Sequence, residues 1–100
     1  MRKILIAGPI GAGKTELATM LMGKQTNYGY QTNGEQPVSI KDVHLFDGYI
    51  FDNCIEGADD AVRQLFERPN TNDNCTIVAV YNQLPIWSDE LDDTYTYTLK

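Results

Sequence analysis

The sequence predicts an α/β fold in which a mainly parallel sheet is flanked by helices. Three short apolar runs, Lys3 to Ala7, Tyr49 to Phe51 and Thr76 to Tyr81, are continuous rather than alternating, as strands buried on both faces read. Between them lie two stretches whose apolar residues recur at helical spacing, after Lys14 and after Asp59. Strands alternating with helices require right-handed crossovers, and crossovers build parallel sheets with helices against their faces.

Each element follows from its residues. Lys3 to Ala7 is stopped by Gly8-Pro9. From Lys14 to Met22, Leu17, Ala18, Met20 and Leu21 define a helix, and Gly23 supplies its stop. Residues 24–48 are polar and rich in Asn and Gly, with apolar patches at Val38 to Ile40 and Val43 to Phe46, and predict a loop with at most one edge strand. Tyr49 to Phe51 ends in Asp52-Asn53. Asp59-Asp60 open a helix whose Ala61, Val62, Leu65 and Phe66 share a face, with Pro69 just past its end. The polar loop Asn70 to Asn74 leads into Thr76 to Tyr81, and a loop carrying Pro85 leads to Thr94 to Leu99, a last strand of alternating β-branched and aromatic residues.

A chain of 100 residues is expected to form a single domain, 1–100, close to the minimum for one hydrophobic core. With 42% apolar and 22% charged residues it matches neither a disordered nor a fibrous class. The N-terminal apolar run is too short for a signal-peptide core or a membrane span, so the expectation is a cytoplasmic protein with no membrane partner. Cys54 and Cys75 lack the neighbours that metal-ligand spacing demands and read as buried thiols. The net charge of −6 lies in the second half: residues 1–41 hold five Lys/Arg against two Asp/Glu, residues 42–100 three against twelve. An acidic surface repels nucleic-acid phosphates, which argues against a passive DNA or RNA coat but not against a ring touching DNA through a few loops.

Gly8-Pro9-Ile10-Gly11-Ala12-Gly13-Lys14-Thr15 satisfies G-x-x-x-x-G-K-[ST] in full, between a predicted strand and a predicted helix, the context this motif requires. Gly8 would turn the chain off the strand, and Gly11 and Gly13 would let successive N–H groups converge on a β-phosphate. The helix N-terminus adds its dipole and free amides. Lys14 is then placed to reach the β- and γ-phosphates of a nucleoside triphosphate, and the Thr15 hydroxyl to ligate Mg²⁺.

A second strand should end in an acid that orients the metal shell. Asp52, after Tyr49-Ile50-Phe51, is preferred; Asp47, after Val43 to Phe46, competes, although Gly48 follows it and His44 interrupts the run before it. Asn53 can hold a water but cannot take its proton, and Glu56 is the nearest alternative base. Asn82 and Gln83, closing the third strand, are of the chemical type that senses a γ-phosphate or positions water; they serve equally well to cap a turn before Pro85.

The succession GPIGAGKT, YIFDN, a short helix ending in LFERPN, TIVAVYNQLP and TYTYTLK resembles the FtsK/HerA-type DNA-pumping ATPases, viral genome-packaging ATPases above all. The likeness touches about half the chain, and its specific part is the P-loop. It implies a minimal P-loop NTPase using ATP and Mg²⁺, with Lys14 and Thr15 on nucleotide and metal, Asp52 as the Walker B acid and Gln83 as the polar sensor. It also implies activity in an assembly, as a homo-oligomer that meets DNA through it. Asn53 stands where that family carries an acid; a competing view of the missing acid is that a neighbouring subunit completes the site, with Arg63 or Arg68 as an arginine finger. The loop is similar, too, to that of deoxynucleoside kinases, whose acceptor pockets carry several arginines; this chain has Arg2, Arg63 and Arg68. A third class is a nucleotide-binding module that regulates a partner with little turnover. ATP is favoured over GTP because no Asn/Thr-Lys-x-Asp guanine-reading motif is present.

Overall fold

A computed structural model describes residues 2–23, 28–32, 47–55, 57, 60–67 and 75–100. In chain order the elements are β1 (Arg2–Ala7), α1 (Lys14–Leu21), β2 (Tyr28–Thr32), β3 (Gly48–Cys54), α2 (Asp60–Glu67), β4 (Thr76–Tyr81), a 3-10 helix (Ile86–Glu90) and β5 (Thr94–Thr98). The strands form one sheet in the order β2-β3-β4-β1-β5, and every pairing is parallel. The fold is α/β.

The three continuous apolar runs become the three central strands for a simple reason: each strand needs both faces covered. α1 packs on one face, where Ala18 and Met22 meet Ile4, Ile6, Ile50, Val78 and Val80. The other face carries Val62, Leu65 and Phe66 of α2 against Leu5, Tyr49, Phe51, Ile77, Ala79 and Tyr81, with Trp87 of the 3-10 helix completing the cluster. Burial of a side chain such as Leu65 or Phe66 contributes about 1.5–3 kcal/mol, more than an eight-residue helix gains from propensity, so α2 exists because of the sheet. Arg2 donates to the Leu21 carbonyl (2.9 Å) and satisfies one of the orphan acceptors at the end of α1.

Two elements go beyond the sequence expectation. The edge strand expected within residues 24–48 forms at Tyr28–Thr32, whereas the apolar patches 38–40 and 43–46 lie outside the described residues. Gly29, a turn residue on its face, is there because the Tyr49 ring lies against it: a Cβ at Gly29 would come within 2.2 Å of Tyr49 Cε2. The second is the 3-10 helix after Pro85, anchored by the buried Trp87 where only a loop was expected.

At the N-terminal end of the sheet lies an ammonium group the apolar run concealed. Lys3 is 1% exposed, and its Nζ donates to the Phe66 carbonyl near the end of α2 (2.9 Å) and to Asp93 Oδ2 (3.3 Å). A cation at a helix C-terminus meets both the free carbonyls and the negative end of the dipole.

Candidate functional site

All five strands run in one direction, so the loops after β1, β3 and β4 gather at the C-terminal edge of the sheet, where ligands of open α/β sheets bind. The Gly8–Thr15 loop, Asp52-Asn53 and Asn82 meet there. Between them lies a cavity of about 550 Å³, within the range of small-molecule sites, lined by Ile10 to Glu16, Asp52, Asn53 and Asn82.

The loop is shaped by its glycines. Gly11 (φ 85°) and Gly13 (φ 87°) take the left-handed conformation, and Gly13 forms the N-cap of α1 with no side-chain capping bond. The first amides of α1 therefore have no side-chain cap, as an anion site at a helix N-terminus needs. Gly8, expected to turn the chain off the strand, is also needed for closeness: β5 ends against it, and a Cβ there would fall 2.9 Å from the Leu99 carbonyl oxygen.

Lys14 folds back over its own loop. Its Nζ donates to the carbonyls of Gly8 and Pro9 (3.1 Å to Pro9) and to Asn82 Oδ1 (2.9 Å), reaching across to the end of β4. Asn82, one of the two polar residues expected here, makes that contact. Gln83 beside it is exposed and does not line the cavity.

Asp52 is 6% exposed and fully engaged. Oδ2 accepts from the Thr15 hydroxyl (2.8 Å) and from the Tyr30 hydroxyl (2.5 Å), while Oδ1 accepts from the Asn53 N–H (2.9 Å). Thr15 and Asp52 thus lie together although 37 residues apart. Hydroxyl and carboxylate oxygens side by side suit Mg²⁺, which takes one or two protein oxygens and fills its octahedron with phosphate oxygens and water. No cluster of three His, Cys, Asp or Glu able to hold a metal occurs among the described residues. Asp47, the competing acid, is at the opposite end of β3, where its carbonyl accepts from the Thr76 N–H (3.0 Å).

Asn53 lines the cavity with a backbone φ of 53°, beside a register shift between Phe51 and Cys54 in the pairing of β3 with β4. Asn tolerates the left-handed region far better than Glu, so the amide here has a conformational reason as well as a chemical one. Glu56 and Arg68 lie outside the described residues. Arg63 pairs with Glu67 on the exposed side of α2 (Nε to Oε1 2.6 Å), which raises its pKa, and takes no part in lining the cavity.

Two site residues escaped the sequence reading. Tyr30 belongs to a strand whose Gly and Gln gave no strand signal, and its contact with Asp52 spans 22 residues. Glu16, in the first turn of α1, lines the cavity one residue beyond the motif, and its position after Lys14-Thr15 was the available clue. Among the described residues no helix is long and apolar enough to cross a membrane. No protein-family model and no curated protein sequence matches the chain.

Proposed function

We propose that this chain is a minimal P-loop NTPase that binds ATP with Mg²⁺ and hydrolyses it slowly by itself, working in a DNA-packaging-type motor assembly. The observation that carries the reading is the Thr15–Asp52 hydrogen bond of 2.8 Å beneath a glycine loop whose lysine reaches Asn82. It joins a P-loop hydroxyl to an acid near the C-terminal end of a different strand, the pair that holds Mg²⁺ in P-loop enzymes. The chain order of acid strand, helix, polar-ended strand and closing strand also agrees with the resemblance to packaging ATPases. In the sheet that polar-ended strand, β4, lies between the loop strand and the acid strand.

On this reading Lys14 exchanges the carbonyls of Gly8 and Pro9 for β- and γ-phosphate oxygens, and the α1 amides hold the phosphate chain. Bound Mg²⁺ offsets the charge that develops on the phosphate oxygens. Asn82 steadies the lysine, and Asn53 positions water without accepting its proton, so turnover is slow. That same asparagine favours a second reading, a nucleotide-binding switch with little hydrolysis.

A steady-state assay of phosphate release, run with and without DNA and with nucleoside acceptors, tests these readings. Release stimulated by DNA supports the motor, transfer to an acceptor supports a kinase, and tight binding with neither supports the switch.

A further inference from the structure

β5 is an end strand: β1 pairs with one of its edges, and no described strand pairs with the other. The Leu99 N–H donates to the Ala7 carbonyl (2.8 Å). Successive residues of a strand turn their N–H and C=O groups to opposite sides, so Thr94, Thr96 and Thr98 direct theirs along the open edge. The register Ile4 to Tyr95 and Ile6 to Tyr97 puts both tyrosines on the α1 face of the sheet, where they remain 62% and 41% exposed. Proteins blunt such edges with lysine, proline, a bulge or an inward charge. The segment TYTYT carries no lysine, proline or charged residue, and its pairing with β1 runs without a register shift.

We infer that β5 is a homodimer interface, pairing antiparallel with β5 of a second copy about a twofold axis through Thr96. TYTYT reads the same in both directions, and a twofold contact must be self-complementary in this sense. With Thr96 opposite itself, Thr94 falls opposite Thr98 of the second copy, and the outward backbone groups of all three threonines form hydrogen-bonded pairs. Tyr95 falls opposite Tyr97 at the closer, non-hydrogen-bonded positions, where aromatic pairs stabilise a sheet.

Charge fixes the same register. Asp92 falls opposite Lys100 at each end, and both residues are exposed. Sliding by two residues in either direction leaves Thr98 or Thr94 opposite a residue outside the strand. The outcome is a continuous sheet through two copies, formed by backbone pairing and by burial of the tyrosines. The inference is independent of the nucleotide reading.

Sedimentation velocity over a wide concentration range tests it, with circular dichroism confirming the fold of each variant. The chain should show a reversible monomer–dimer equilibrium. Thr96→Lys puts two ammonium groups opposite one another at the axis and should raise the dimer dissociation constant roughly tenfold or more. Asp92→Lys and Lys100→Asp should each weaken the dimer, and the two together should restore it, an outcome no damaged fold can produce. A wild-type chain that stays monomeric at every concentration it tolerates overturns the inference, and so does a dimer indifferent to Thr96→Lys or to both single charge reversals.

Discussion

The sheet holds a lysine at each end, and the two are handled in opposite ways. Lys3, at the N-terminal end, is buried and donates to the Phe66 carbonyl and to Asp93. Lys14, at the C-terminal end, faces an open cavity and holds carbonyls of its own loop together with Asn82. The Phe66 carbonyl that Lys3 holds is fixed by the packing of α2, and the cleft beside it is lined by Glu67, Glu90, Asp92 and Asp93, acids that repel an incoming anion. The partners of Lys14 can be exchanged: a phosphate entering the cavity offers stronger, charge-assisted bonds than a neutral carbonyl. On the proposed reading, a structural cation and a ligand-binding cation differ here in whether their partners can be replaced.

Removing each ammonium group separates the two roles. Lys14→Ala should weaken ATP binding by about 1.5–3 kcal/mol, the usual worth of a hydrogen bond to a charged group, and leave the melting temperature nearly unchanged. Lys3→Met should do the reverse, lowering stability by about 1–3 kcal/mol through the stranded Phe66 carbonyl while ATP affinity holds. Calorimetric titration and thermal melts of both variants supply the four numbers. Parallel losses in the two assays would erase the distinction.

Asn53 sharpens the comparison within the cavity. Asn53→Glu forces a larger side chain into the left-handed region and should cost about 1–2 kcal/mol of stability. It should nevertheless raise phosphate release with little change in nucleotide affinity, because a base acts in the transition state. Asn53→Gly should keep the stability and gain no rate. Unchanged release by Asn53→Glu, coupled with turnover per chain that climbs with protein concentration and vanishes in Arg63→Ala or Arg68→Ala, would move the catalytic deficit to a neighbouring subunit.

A smaller effect is expected one strand further out. Tyr30→Phe removes one of the two hydroxyls on Asp52 Oδ2 and should cost about 0.5–1.5 kcal/mol of stability, with a slight change in Mg²⁺ dependence. Smallest is the thiol contrast. Burial pushes Cys75 above its ordinary pKa of 9.0, so it should react with a thiol reagent more slowly than the half-buried Cys54. The folded chain keeps the Cys75 proton to a higher pH than the unfolded chain does. The stability it contributes is complete below that ordinary value and is lost as pH rises through and beyond it, a decline that Cys75→Ala should lessen in melts at about pH 10.

The central strands, both helices and the glycine loop were legible because each rests on a local pattern: a continuous apolar run, a helical period, a fixed motif. Asp52 was legible as well, since a strand ending in an acid is a short-range signal. Tyr30, Asn82 and Lys3 acquire their roles through contacts 22, 68 and 63 residues distant in sequence, which no window along the chain can register. Gly29 misled because a glycine required by a tyrosine on the next strand looks the same as one required by a turn. Lys3 misled in the other direction, a charge hidden inside an apolar run.

The most direct test of the site is a calorimetric titration with ATP in the presence and absence of Mg²⁺, on the wild-type chain and on Asp52→Asn. The account predicts one saturable site per chain, tightened by Mg²⁺ in the wild type, with that tightening lost in Asp52→Asn while Mg²⁺-free binding persists. No saturable binding, or a Mg²⁺ effect that survives Asp52→Asn and disappears in Asp47→Asn, would contradict it.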